Sequence, residues 1–413
     1  MPSLRRLPLL LALALSAPLS AHAIEFSAQE LARAKALQQR LLTIDSHLDT
    51  PANFARSGFD IEQRHERNAL SQVDYPRMVE GALDGGFWVI YTDQGDRSAT
   101  AHLGERDHGL QRLLEIREML AANPRRFALA LTAEDAARIK AAGKRVVYIS
   151  MENASPLVAD PSLLSFYHRA GLRLLSTVHF ANNEFADSAT DPKGAEWKGL
   201  SPAGKELVRA AVKLGIVIDQ SHASDAVFDD LIAMMPVPFV LSHSSAKAIY
   251  DHPRNLDDAR LRRLAEAGGV IQVNAYGGYL IDTGKTAERK QAEEALSKQL
   301  GGWEGMGIEQ GVALLKAEQA LDHQHPVRHA SLDDFFAHFE HILKVVGPDH
   351  VGIGLDWDGG GGLSDLSDVS QLPKITAWLL RQGYTEQQIA AIWGGNLLRV
   401  MRQAQAFAAK QGG

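Results

Sequence analysis

The chain contains no cysteine, which excludes disulfides, thiolate metal sites and cysteine nucleophiles. Any metal must therefore be held by His, Asp or Glu. Positive charge is also in short supply: 43 Lys and Arg against 50 Asp and Glu leave a net charge of −7. With no basic stripe carrying interleaved aromatics, this argues against a nucleic-acid binder. Aromatics are sparse at 7% and form no repeating platform for carbohydrate or nucleic acid. Internal repeats and low-complexity linkers are absent, and no G-x-G-x-x-G turn follows the first strand, as a dinucleotide-binding sheet would need. What remains is an ordinary globular composition, 413 residues with 45% hydrophobic and 23% charged, enough for a large core.

A long apolar run is missing too. Leu7 to Leu15, preceded by Arg5 and Arg6 and followed by Pro18, is too short to span a bilayer. Together with Ala21-His22-Ala23 it reads as an export signal over residues 1–23 with a small-residue cleavage site. The expectation is an exported, periplasmic protein with no membrane anchor after signal removal, whose residues 24–413 form a single domain.

The stretch the chain is organised around is Leu42 to Thr50, L-T-I-D-S-H-L-D-T. An apolar strand runs into His47 and Asp49, and residues i and i+2 of a strand share a face, so both side chains can reach one ion. Before it, Ser27 and Glu30 form a capping box for a helix through about Arg40. After it come further apolar runs: Gly86 to Tyr91, Arg145 to Ser150, Leu172 to Val178, Ile216 to Asp219, Phe239 to Ser242, Val270 to Asn274 and Val351 to Leu355. Helical patterns such as Glu105 to Leu120, Pro202 to Leu214 and Asp257 to Ala267 lie between them. Eight strand–helix repeats predict an α/β fold of the (β/α)8 TIM-barrel type.

In such a barrel the active site is built at the C-terminal ends of the strands. The first strand ends in His47 and Asp49, the third in Glu152, the fourth in His179, the fifth in His222 and the sixth in His243. The seventh ends near Tyr276 and the eighth in Asp356. One histidine at such a place is usually structural; this many metal-capable groups at equivalent ends form a site. Imidazole nitrogen with carboxylate oxygen suits Zn²⁺. Three His and two carboxylates exceed the needs of one catalytic zinc, so two Zn²⁺ are expected. With Glu152 as bridge, one ion takes His47, Asp49 and Glu152, and the other Glu152, His222 and His243. Asp356 is then placed to move the proton, and His179 to polarise a substrate carbonyl. Asp45, Asp187 and Asp219 sit where acids orient metal-bound histidines, or are ordinary loop acids.

These residues resemble the renal (membrane) dipeptidases and their bacterial relatives, from about Thr43 to Arg399. Besides the strand ends, the likeness is carried by V-D-Y-P-R-M-V-E-G (Val73 to Gly81), S-H-S-S-A (Ser242 to Ala246), H-P-R-N (His252 to Asn255), G-I-G-L-D-W-D-G (Gly352 to Gly359) and G-G-N-L-L-R-V (Gly394 to Val400). The resemblance implies a two-zinc hydrolase of dipeptides, tolerant of a D-residue at the C-terminal position. It implies the same ligand set with Glu152 bridging, His179 on the substrate, Arg254 on its carboxylate, Asp356 as the catalytic acid–base and Tyr276 lining the pocket. A planar guanidinium suits a carboxylate because it pairs with both oxygens. The expected partner is a small peptide, with a homodimer admitted. Two alternatives stay open: a related zinc amidohydrolase, and a dipeptidase-like enzyme dedicated to maturing a secreted peptide metabolite.

Two departures stand out. Glu152 is followed by Asn153 and Ala154 where the family commonly has two glycines. Residues 277–330 are longer than the usual link between the last two strands and read as a lid or subunit-contact element, with a helix over Thr286 to Leu300 and a break at Gly301-Gly302-Trp303. Its His323, His325 and His329 read as a solvated loop. Ser331 and Asp334 cap the next helix, whose Phe335, Phe336 and Phe339 face the core and whose His338 and His341 are structural. Gly359 to Gly362 read as permissive backbone beside the site.

Overall fold

The computed structural model describes residues 24–412; the export signal expected over 1–23 lies outside them. Among the described residues no helix is long and apolar enough to cross a membrane. The strands are β1 (Ile44–Leu48), β2 (Gly85–Tyr91), β3 (Phe127–Leu129), β4 (Arg145–Glu152), β5 (Leu172–Ser176), β6 (Val217–Asp219), β7 (Val240–Ser244), β8 (Val270–Val273) and β9 (Val351–Ile353). All pair in parallel, in the order β1-β2-β4-β5-β6-β7-β8-β9. The ring closes just past the last strand, where Leu48 bridges Trp357 and the Asp49 amide donates to the Trp357 carbonyl at 2.9 Å. The (β/α)8 barrel is thus the observed fold.

Nearly every strand residue is buried, as expected for a parallel sheet walled by helices. The starts of several helices are set by local signals. Ser201 caps the helix Pro202–Lys213 through the Gly204 amide, with Pro202 in the first turn. Ser224 and Asp257 do the same for Asp225–Met234 and Asp258–Glu266. The Ser27–Glu30 and Ser331–Asp334 capping boxes both form. His338 is satisfied by the Ala246 amide and the Leu280 carbonyl, and His341 pairs with Asp258, so both are structural.

Two features depart from the sequence reading. A ninth strand, β3, pairs with the first half of β4, on the side that β5 takes over from Ile149 onward; three residues show too little alternation to be read as a strand. And β1 stops at Leu48. Its register is irregular between Asp45 and Leu48, and Asp49 instead opens a short 3₁₀ turn, Thr50–Asn53. The pleat therefore does not align His47 with Asp49; the turn does.

Residues 277–330 fold as helices Gly277–Leu280, Ala287–Gln299, Gly302–Gly305 and Ile308–Gln324. They pack on the segment after β1: Leu70 clusters with Met306 and Leu314, and Arg56 donates to the carbonyls of Trp303 and Met306.

Candidate active site

The strand ends bring seven of the residues expected from the sequence to one place. Every one is buried: His47, Asp49, Glu152, His179, His222, His243 and Asp356. Glu152 sits at their centre and faces two ways. Its Oε2 lies 3.5 Å from His47 Nε2, while its Oε1 lies 3.1 Å from His222 Nε2 and 3.4 Å from His243 Nε2. His47 Nε2 is also 3.2 Å from Asp49 Oδ2 and 3.9 Å from Asp356 Oδ1, and the two Nε2 atoms of His222 and His243 are 2.8 Å apart. Three overlapping donor triads result: His47–Glu152–His243, Glu152–His179–His222 and His47–Asp49–Asp356.

The donor chemistry of this set fits a metal. His47 Nε2, Asp49 Oδ1 and Glu152 Oε1 are buried without a hydrogen-bond partner, a costly state unless something cationic joins them. Two of the histidines are also shifted toward the ligating form. Burial, helped by the Arg254 charge, holds His222 well below the usual imidazole range; burial with the His47 and Arg254 charges does the same for His243. Both are therefore neutral, the metal-binding form. Burial raises Glu152, but the histidines around it win and hold it ionised. Asp356 is pushed well up by burial and by the charges of Asp49 and Glu152.

Backbone strain is concentrated here. Of the seven described non-glycine residues with positive φ, four are Asn153, His222, Asp356 and Asp358, each at a cost of about 1–3 kcal/mol that functional sites commonly carry. Asn153 explains one departure from the family pattern. Its φ is +68°, a conformation that glycine adopts freely and asparagine tolerates best among the others. Its side chain then donates to the Thr92 carbonyl and accepts from Ser155 Oγ and Asn183 Nδ2, tying the loops after β2, β4 and β5 together. Gly359 is required by crowding: a Cβ there would stand 2.0 Å from Asp49 Oδ2 and 2.5 Å from Asp356 Oδ1.

Orienting groups lie one layer deeper. Ser242 Oγ donates to Asp219 Oδ2 at 2.5 Å and lies 2.8 Å from His243 Nδ1. Its single proton is committed to Asp219, so Nδ1 of His243 carries the hydrogen and Nε2 presents a lone pair to the centre. Asp45 accepts the His47 and Leu355 amides, bracing the ends of β1 and β9. Asp187 proves to be a loop organiser, accepting the Glu196, Trp197 and Gly199 amides.

Arg254 is only 4% exposed. Nη2 donates to the His243 carbonyl at 2.9 Å and Nη1 to Ser244 Oγ at 3.2 Å, while Nε has no partner. The Tyr279 ring lies 5.0 Å from the guanidinium. Among the described residues no carboxylate pairs with it. Tyr276 stands at the edge of the same space against Gly360. The sequence reading passed over Tyr91, the end of β2, whose hydroxyl donates to Asp93 and whose ring meets His179 edge-on at 5.0 Å. Applying the strand-end rule to that strand as to the others would have found it. His323, His325 and His329 join no donor cluster among the described residues; His329 pairs with Asp322.

A closed parallel barrel with nitrogen and oxygen donors converging at its C-terminal mouth defines a metal-dependent hydrolase. The chain belongs to the membrane dipeptidase family, peptidase family M19, matching it over residues 31–412. It is accordingly a metallo-dipeptidase. Dipeptidase tcpJ of Claviceps purpurea is 27% identical over 362 residues, covering 86% of this chain and 75% of that protein. Dipeptidase ataJ of Aspergillus terreus is 28% identical over 413 residues, covering 92% and 89%. Among solved structures, the probable dipeptidase PvdM from Pseudomonas aeruginosa superposes with a TM-score of 0.78 at 28% identity, over 92% of this chain and all of that one.

Proposed function

We propose that the enzyme hydrolyses dipeptides with a free C-terminal carboxylate, of L-L and L-D configuration, at a centre of two zinc ions. The observation that carries this reading is the two-faced Glu152, one oxygen toward His47 and the other toward His222 and His243. His47, Asp49 and Glu152 would hold one ion and Glu152, His222 and His243 the other. His243 is preferred to His179 as a ligand because Ser242 orients its ring. Two divalent cations held there supply Lewis-acid charge and a water that ionises near neutral pH.

The protein's own groups do the rest. Arg254, a buried cation with no acid partner among the described residues, takes the substrate carboxylate and sets the register of the peptide. His179, kept mainly neutral by burial, polarises the scissile carbonyl and steadies the charge that develops on its oxygen. Asp356 accepts the proton of the attacking water and returns it to the departing nitrogen. The C–N bond breaks, the hydroxyl stays on the acyl carbon and the amine leaves protonated. The product of export, by this reading, works in the periplasm on small peptides, alone or as a homodimer.

The test is zinc per chain in the purified protein together with amino-acid release from L-L and L-D dipeptides, with and without chelator. Asp356→Asn should keep its zinc and lose about 10²–10⁴-fold in kcat. Full turnover in that variant would remove Asp356 from the mechanism; a single zinc after reloading would end the bridging role of Glu152.

A further inference from the structure

The first described residues do not trail away from the fold. Ile24 and Phe26 are half-buried against the main core cluster, and three successive residues are held by different groups. The Ile24 nitrogen donates to Asp333 Oδ1 at 3.2 Å. The Glu25 carbonyl accepts from Arg381 Nη2 at 2.8 Å, and the Arg381 guanidinium lies 4.5 Å from the centre of the Phe26 ring. Arg381 also pairs with Glu30 at 2.8 Å, in the first turn of the helix Ala28–Arg40 that leads to β1. The segment is thus seated between the start of the helix Leu332–Val346 and the end of the helix Pro373–Arg381.

Asp333 is the unusual member of this set. The helix Leu332–Val346 carries two acids in its first turn, Asp333 and Asp334. Asp334 is fully used: it closes the capping box with Ser331 and pairs with Arg328. Half-buried Asp333 forms no ion pair among the described residues, and its one hydrogen bond there comes from Ile24. In a chain continuous through Ala23 that nitrogen is an amide, neutral and with a single hydrogen. Hydrolysis of the Ala23–Ile24 bond, at the end of the A-H-A stretch, changes its charge. Water adds across the bond, the carboxylate departs with Ala23, and the new amine takes up a proton. An ammonium then faces the carboxylate, and such a pair forms shorter and stronger hydrogen bonds than an amide does.

We infer that Asp333 is the receptor for the N-terminus that signal removal creates. A signal peptidase cuts between Ala23 and Ile24, the freed Ile24 ammonium pairs with Asp333, and the exported enzyme becomes more stable than its precursor.

Export in a Gram-negative host, followed by N-terminal sequencing of the periplasmic protein, should read Ile-Glu-Phe-Ser. Another first residue, or a chain recovered uncut, would overturn the inference. Thermal stability is then compared in four proteins: one beginning at Ile24, one with Gly-Ser added before it, and the Asp333→Asn variant of each. The added residues return the Ile24 nitrogen to an amide. They should lower Tm by about 1–2 °C where Asp333 is present, the scale of one half-exposed ion pair in a chain of this length. In the Asp333→Asn background the same addition should cost nothing, because the two changes remove one interaction. An aminopeptidase should release Ile24 about 2–5-fold faster from Asp333→Asn than from the parent. An addition that costs the same in both backgrounds, or trimming indifferent to Asp333, would show that the ammonium is not bound there.

Discussion

At the barrel mouth every candidate donor is buried, and Asp45, Asp219 and Ser242 brace the backbone or rings behind them. On the same face, the helix Ala287–Gln299 buries only Arg289, and Ile308–Gln324 buries only Ile308, Gly311 and Leu314. The mouth is held by the sheet, whose strands cannot shift singly; the insertion is held by a few side chains. Chemistry that depends on sub-ångström placement sits on the first kind of support. The barrel mouth can thus hold its geometry while the insertion adjusts.

The comparison breaks most decisively at Arg254. Arg254→Met keeps the volume and removes the charge, and should lower kcat/KM by about 2–5 kcal/mol, mostly in KM, as for one partner of a buried charge pair. The wild-type preference for a dipeptide over its C-terminal amide should vanish with it. If the preference survives, the substrate carboxylate is read elsewhere. A smaller effect is expected one layer deeper. Ser242→Ala should weaken metal affinity by about 10–100-fold, measured by chelator competition, with Ser242→Thr restoring most of it because the hydroxyl returns. An unchanged affinity would make Ser242 a packing residue only. The smallest effect on catalysis belongs to the insertion. Arg289→Ala should leave turnover of alanyl-glycine intact while costing about 0.5–3 kcal/mol of local stability and speeding proteolysis within residues 281–330. Loss of alanyl-glycine turnover would show that mouth and insertion are one mechanical unit.

The barrel was legible because a parallel strand buried on both faces is a short apolar run, and eight such runs are visible in the chain. The metal-capable residues followed from the same rule, since strand ends converge in a barrel whatever their separation in sequence; Asp45 and Leu355 meet across 310 positions. What escaped was local geometry. β3 is too short to signal itself. Asp49 reaches His47 through a turn that the i, i+2 spacing imitates. The departure at Asn153 was visible, but its left-handed backbone and its bridges to Thr92 and Asn183 were not.

By itself, then, the sequence determined the kind of atoms available and their order around the ring: nitrogen and oxygen donors, no sulfur, all delivered at strand ends. Periodicity and composition are enough for that, because they follow from one residue and its near neighbours. Only the tertiary structure decided which oxygen of Glu152 faces which histidine, that Arg254 is buried with no acid partner among the described residues, and that Trp303 and Tyr276 share a cleft with Phe180. Those facts depend on distances between residues far apart in the chain, and such distances exist only once the core has closed.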